Sequence, residues 1–245
     1  MRRYPIVLAA LLLSTPFNFA HYSMLLPDKP WAEKGEKITF TYQFGHPFEH
    51  ELFDAPKPAG LAVISPKGKS QMMDVEKTMS PIQKDGADGK KVTAWQFAFT
   101  PPERGDYTFA LRTAKLKHDE NKVYEDVVMV VLHVQTQNGW EYAGAPWRDA
   151  PKLHPLTRPY GLLPGMVFSG EVPALDKSGA RMVEIEKYNP RPMRNLPPDE
   201  LITFKSKIAD HGMFVTTLPS AGWWGLTAVW EEQRATLWVH VDEKK

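Results

Sequence analysis

The chain has 245 residues, a formal net charge of +1 and no cysteine. A balanced charge creates no field that would attract nucleic acid or an anionic membrane, so neither is expected as a partner. Without cysteine there is no disulfide framework and no thiolate chemistry, and stability must come from apolar burial. Eight Trp, eight Tyr and twelve Phe supply large side chains for such a core.

Residues 1–20 have the layout of a secretory signal peptide. Arg2 and Arg3 form a positive start, residues 6–13 are apolar, and a more polar stretch ends at Ala20. The apolar run is far shorter than the roughly 20 residues that span a bilayer. We therefore expect cleavage after Ala20, a periplasmic location and no membrane insertion of the mature chain. A retained membrane anchor is the alternative.

The first half of the mature chain predicts β-strands. Its prolines, part of a total of 22, argue against long helices. Alternation of apolar and polar residues, or a β-rich run, predicts strands over 38–44, 61–65, 92–99, 107–112 and 123–134. The last is almost entirely apolar or β-branched, which predicts a central strand covered on both faces. Residues 102–107 resemble the turn that enters a strand in immunoglobulin-like sandwiches.

Residues 137–162 lack any period and are rich in glycine, proline and aromatic residues, which predicts a linker and interface. A second series of strands follows over 166–172, 182–188, 201–208, 213–218, 223–230 and 235–241. The predicted fold class is all-β. We expect two immunoglobulin-like or transthyretin-like antiparallel β-sandwich domains, residues 21–136 and 163–245, after the signal peptide.

His21 is the first candidate site residue, because cleavage after Ala20 would make it the N-terminus. A terminal histidine offers one ion its α-amine and its ring Nδ1, which close a chelate, and a second histidine completes a compact nitrogen site. Imidazole suits copper, nickel, cobalt and zinc. An α-amine with a pKa of about 8 gives up its proton to a metal at neutral pH. The alternative is that the cleavage site merely precedes a histidine.

The segment 45–51, Gly-His-Pro-Phe-Glu-His-Glu, is the second candidate. It directly follows the first predicted strand, at a strand end where loops often carry function. His46 and Glu49 can converge only if Pro47 makes a turn. The alternative is a solvated acidic loop with one capped histidine. Within the segment, His50 is the weakest candidate for a ligand.

Other features favour a binding protein. His133 lies in an apolar strand, where a hydrogen-bonded core histidine is expected, and His154 lies at the predicted domain boundary.

The sequence has no Gly-x-Ser-x-Gly elbow, no His-Glu-x-x-His and no phosphate or dinucleotide loop. We therefore expect that the protein is not an enzyme.

Several segments together resemble a family of bacterial periplasmic proteins of unknown function described as the periplasmic component of cobalt or nickel uptake systems. The matching segments are Ala20-His21 and residues 44–49, 155–162, 165–170 and 221–225. The resemblance implies a two-domain β-sandwich that captures or delivers a divalent metal outside the inner membrane. Its motif positions are His21, His46 and Glu49, and they do not include His50 or His154.

Three functions follow as hypotheses. The leading one is a periplasmic accessory that binds Ni²⁺ or Co²⁺, with Cu²⁺ also suited, through His21, His46 and Glu49. Its partners would be the metal ion and an inner-membrane metal transporter. The second is a copper-binding protein or copper monooxygenase that uses the same terminal histidine. The third is an envelope adhesion or scaffold module that binds no metal.

Overall fold

The computed structural model describes residues 21–119, 122–173, 180, 182–230 and 232–244. The predicted signal peptide, residues 1–20, lies outside this described part. Within it, no helix has the length and apolar character needed to cross a membrane. The described chain is nearly all β, and its one α-helix, α1 (Val75–Thr78), is a single turn.

The strands of the first half are β1 (Tyr22–Pro27), β2 (Trp31–Ala32), β3 (Ile38–His46), β4 (Glu51–Phe53), β5 (Pro58–Ile64), β6 (Ser70–Met73), β7 (Ser80–Asp85), β8 (Lys91–Phe99), β9 (Gly105–Thr113), β10 (Leu116–Asp119) and β11 (Lys122–Val134). Those of the second half are β12 (His154–Pro155), β13 (Val167–Glu171), β14 (Met182–Lys187), β15 (Thr203–Lys207), β16 (Met213–Thr217), β17 (Gly222–Val229) and β18 (Gln233–Val241). Every predicted strand is present, so the all-β fold class is confirmed.

The strands form three sheets. A five-stranded sheet has the order β1-β3-β8-β7, with β4 also paired to β3. A ten-stranded sheet has the order β15-β14-β17-β18-β11-β9-β5-β6, with β2 and β10 also paired to β11. A three-stranded sheet has the order β12-β13-β16. Most neighbours are antiparallel, as predicted.

The five-stranded sheet packs on strands β11, β9 and β5 of the ten-stranded sheet to form a sandwich. Phe40 of β3 stacks on Phe97 of β8 with ring centroids 4.8 Å apart. Phe40 also lies 4.2 Å from Phe109, across the sandwich on β9. The hydroxyl of Tyr107 donates to the carbonyl of Glu103 over 3.2 Å. This hydrogen bond resembles the tyrosine corner of immunoglobulin-like sandwiches, and it lies in the turn that the sequence predicted at residues 102–107.

β11 lies at the centre of the ten-stranded sheet and is covered on both faces, which confirms the prediction for residues 123–134. Val128 and Val130 pack into the core facing the five-stranded sheet. Val127 and Met129 pack into a second core, with the three-stranded sheet and the segment that follows β11. Because successive side chains on a strand point to opposite faces, one apolar strand serves two cores.

A parallel pairing joins the two halves of the chain. β11 pairs with β18 from Glu125↔Gln233 to Val130↔Trp238. Parallel neighbours require a long crossover connection, and here it contains the whole second half of the chain before β18. The two predicted sandwich domains therefore share one hydrogen-bonded sheet. Their boundaries at residues 136 and 163 stay a prediction.

Candidate functional site

Strand pairing places His21 beside His46. β1 and β3 are antiparallel with Tyr22 opposite Gly45, so His21 and His46 are the next pair along the ladder. Their ring centroids are 4.6 Å apart, and the ring planes lie at 74° to each other. His21 and His46 therefore lie side by side, as a shared metal site requires. Their role as metal ligands stays a prediction.

Aromatic side chains surround the two imidazoles, which we call the histidine pair. Phe53, on β4, lies 4.8 Å from the His21 ring and 5.6 Å from the His46 ring. Phe44 lies 5.6 Å from the His21 ring. The two imidazoles therefore lie in a setting of packed aromatic rings.

A tight turn after β3 brings Glu49 back toward His46. Residues 47–50 form the turn, and β4 then pairs with β3 through His46↔Glu51. Gly45 has φ +150°, and a Cβ there would overlap the carbonyl oxygen of Glu51. Only glycine therefore allows β4 to approach so closely. Pro47 therefore lies in a turn, which is the condition under which His46 and Glu49 can converge.

Glu49 is a buried carboxyl group, only 6% exposed. Its Oε2 atom makes no hydrogen bond within the described residues. Burial raises the pKa of this carboxyl group, and the negative charges of Glu51 and Asp199 raise it further. A buried carboxylate oxygen without a donor is unfavourable by about 1–3 kcal/mol or more, so this atom is suited to receive a proton or a cation.

His46 and Glu49 line a cleft of about 210 Å³ between the two halves of the chain. We call it the acidic cleft, because its wall carries five carboxyl groups and one lysine. The residues that line it are Tyr22, His46, Glu49, Glu184, Glu186, Asp199, Glu200, Ile202, Thr203 and Lys205. A concave wall with excess negative charge attracts cations.

Glu186 on β14 connects the turn to the second half of the chain. Its Oε1 accepts from the backbone N–H of Phe48 over 3.3 Å, and its Oε2 accepts from the Thr203 hydroxyl over 2.7 Å. Burial raises the pKa of Glu186 to about 7, with a further contribution from the charge of Glu49. Sequence reasoning missed this residue, because no local pattern links β14 to the turn.

A buried ion pair holds the backbone of His21. Arg234 on β18 donates through Nη1 to the carbonyl of His21 over 2.7 Å and through Nε to Asp126 over 3.0 Å. The other oxygen of Asp126 accepts from the Ser23 hydroxyl over 2.7 Å. Residues of β1, β11 and β18 thus fix the start of the described chain.

The remaining candidate histidines lie elsewhere. His154 Nδ1 is 3.0 Å from the carbonyl oxygen of Ala143, and the His50 ring packs 5.7 Å from the ring of Tyr188. His133 is bonded to a buried carboxylate, as expected, but it is only half-buried and so is not a core residue. Across the described ranges, no group of three His, Cys, Asp or Glu side chains is arranged to hold a metal ion.

The fold and the site define an all-β, immunoglobulin-like sandwich protein with a histidine pair beside an acidic cleft. The chain belongs to the family described as Domain of unknown function (DUF4198), whose model matches residues 18–232. A comparison with curated proteins finds no match.

Among solved structures, the chain is similar to the full ectodomain of mouse nectin-like molecule 4, with 11% identity, a TM-score of 0.23, and coverage of 90% of this chain and 63% of that one. It is similar to a DUF4785 family protein from Legionella pneumophila, with 10% identity, a TM-score of 0.31, and coverage of 89% and 56%. It is also similar to the I-band fragment I67–I69 from titin, with 11% identity, a TM-score of 0.23, and coverage of 92% of this chain and 66% of that one. The chain spans less than two thirds of each of these structures.

Proposed function

We propose that the mature protein begins at His21 and binds a divalent transition metal, Ni²⁺ or Co²⁺, as a periplasmic accessory of a metal uptake system. The observation that carries this proposal is the contact of the His21 and His46 rings, with centroids 4.6 Å apart. With metal–nitrogen bonds of about 2.0 Å, two imidazoles at right angles around one ion place their centroids roughly 4.5 Å apart.

The third nitrogen is the α-amine that signal cleavage would release on His21. This group is not a side chain, which is consistent with the finding that no three metal-binding side chains converge in the described part of the chain. The amine and the ring Nδ1 of one residue form a chelate, and nitrogen donors suit nickel and cobalt. The hydrogen bond from Arg234 to the His21 carbonyl supports a terminus held in place before the metal arrives.

Charge supports the same proposal. The carboxyl groups of the acidic cleft attract a cation toward the histidine pair. Within the described residues the Oε2 of Glu49 has no hydrogen-bond donor. We assign this carboxyl group the role of negative charge beside the pair and not of a third side-chain ligand, because no three such side chains in the described chain are arranged there to hold an ion. An inner-membrane transporter is the proposed recipient, and the open acidic cleft is the route by which the ion leaves.

Calorimetric titration with Ni²⁺ and Co²⁺ tests the proposal. Protein that starts at His21 is compared with protein that carries one additional N-terminal residue, which removes the chelate but leaves both rings. We expect the extension and the variant His46→Ala to weaken binding at least tenfold, and the exposed-turn control His211→Ala to leave it unchanged. Equal affinity of the two N-terminal forms would remove His21 from the site.

The same titration is also carried out with Cu²⁺. Its affinity exceeds that of nickel and cobalt at almost any nitrogen site, so tight Cu²⁺ binding alone does not identify a copper protein. Oxidation of a polysaccharide in the presence of Cu²⁺ and a reductant would favour the copper monooxygenase. No uptake of any metal after dialysis would favour the adhesion or scaffold module.

A further inference from the structure

A second cleft opens where β18 leaves β11. β11 pairs with β18 up to Val130↔Trp238 and with the short strand β2 from His133↔Trp31. Where the partner of β11 changes from β18 to β2, there is a cleft of about 400 Å³. This volume is typical of sites for one small organic ligand. We call it the Trp31 cleft. Its lining residues differ from those of the acidic cleft.

Trp31 presents an indole ring to solvent at the wall of this cleft. The residue is 57% exposed, and it is the one tryptophan among the exposed large apolar residues of the described chain. An exposed aromatic ring beside a polar cleft provides a flat apolar surface on which a ligand ring can pack.

Arg158 supplies a cation held in one orientation. It donates through Nε to the carbonyl of Tyr160 over 3.1 Å and through Nη1 to Gln137 Oε1 over 3.0 Å, and its guanidinium lies over the Tyr160 ring. A Cβ on Gly161 would lie 3.0 Å from Nη2, so glycine leaves room for this arrangement. Within the described chain no carboxylate forms an ion pair with Arg158, and guanidinium groups bind carboxylates in a bidentate manner.

The neighbouring amides also present donors. Gln137 uses its oxygen to accept from Arg158. Gln135 uses its oxygen to accept from Arg104 Nε over 3.1 Å. Both amides therefore keep their NH₂ groups for another partner. Gln135 also has φ +59°, a left-handed backbone that is unfavourable for this residue type and is found often at binding sites.

The wall behind these donors is rigid. Buried Asp106 lies 2.7 Å from His133 Nδ1 and accepts from the Tyr160 hydroxyl over 2.8 Å. The His133 and Tyr160 rings stack with centroids 4.2 Å apart. Locked side chains of this kind keep a site in its binding geometry before the ligand arrives.

We propose that the Trp31 cleft binds a small saccharide that carries a carboxylate. The sugar ring packs on the indole of Trp31, and the carboxylate accepts from Arg158. The hydroxyl groups accept from the amides of Gln135 and Gln137 and donate to Asp242, which also lines the cleft. A hydroxyl group can accept from an amide NH₂ and donate to a carboxylate, and this cleft offers both kinds of partner. A sugar has several hydroxyl groups and an aromatic acid such as benzoate has none, so the cleft favours a sugar.

Saturation-transfer NMR and calorimetry with glucuronate test this proposal, with glucose and benzoate as matched probes. Glucose lacks the carboxylate, and benzoate lacks the hydroxyl groups. We expect glucuronate to bind about tenfold or more tightly than either probe, the ratio that corresponds to loss of a charged hydrogen bond. Equal binding of glucose would overturn the role of Arg158, and tighter binding of benzoate would overturn the saccharide. No binding of glucuronate would overturn the proposal as a whole.

Variants locate the site. Trp31→Ala and Arg158→Gln should each weaken glucuronate binding about tenfold. Two control variants outside the cleft should leave binding unchanged: Arg194→Gln removes the same charge as Arg158→Gln, and Tyr142→Ala removes a ring exposed to a similar degree as Trp31. Trp31 is exposed, so its replacement leaves folding intact even if Arg158→Gln lowers the melting temperature. Glucuronate binding unchanged in Trp31→Ala would place the sugar elsewhere. His46→Ala should bind glucuronate normally, because the proposal is independent of metal binding.

Discussion

The guanidinium of Arg234 donates to the backbone carbonyl of His21 across 2.7 Å. The two residues are 213 positions apart in the chain, and they meet because β18 lies in the same sheet as β11, against which β1 packs. The residue on which metal binding is proposed to depend is therefore positioned by the last strand of the protein.

Replacement of Arg234 by Met should lower the free energy of unfolding by about 3–5 kcal/mol, because it leaves the charge of buried Asp126 without its partner. Urea unfolding measures this change, and the exposed Arg194→Met is the control. The double variant Arg234→Met, Asp126→Leu should recover part of the loss, since no buried charge then remains. A loss below about 1 kcal/mol in the single variant would mean that the ion pair does not matter for stability.

Glu186 should make the protein less stable as pH rises from about 5 to about 7. Its pKa in the folded protein is about 7, above that of an exposed glutamate, so the folded state binds more protons in this window. The free energy of unfolding therefore falls with rising pH, by roughly 3 kcal/mol at most. Urea unfolding of the metal-free protein across this range should show a weaker dependence in Glu186→Gln than in wild type. An unchanged dependence would mean that Glu186 titrates normally.

Gly45→Ala should destabilise the protein by about 1–3 kcal/mol or more, because its Cβ would overlap the Glu51 carbonyl oxygen. Gly35→Ala is a matched control, since Gly35 also has positive φ but has no atom near the added Cβ. Thermal unfolding compares the two. Equal losses would show that φ alone, and not the close approach of β4, requires glycine. Nickel affinity should fall only in Gly45→Ala, because β4 carries Phe53 against both imidazoles.

The two halves of the chain should unfold in one transition. β11 and β18 share backbone hydrogen bonds from residue 125 to residue 130, and Trp238 of β18 is buried in the core of the first half. Urea unfolding followed by tryptophan fluorescence and by far-ultraviolet circular dichroism should give coincident curves. Two separate transitions would indicate that residues 21–136 and 163–245 are independent domains.

Much of the local structure was predictable. The alternation in residues 38–44 and the apolar run in residues 123–134 predicted β3 and β11, because burial on one face or on both leaves a pattern along the chain itself. β1 was missed, since all six of its residues are buried and it shows no alternation. β7 was missed because it includes Pro81 and is largely polar.

The sequence by itself determined most of the longer strands, the aromatic content of the core and the chemistry of the candidate ligands His21, His46 and Glu49. Only the tertiary structure decided that His21 lies against His46, that Glu186 from β14 faces the turn carrying Glu49, and that Trp31 and Arg158 line one cleft. The pairing of β11 with β18 likewise joins residues more than 100 positions apart. Strand periodicity is a local property of the chain, whereas strand pairing depends on the summed packing of distant segments, which no single stretch of sequence records.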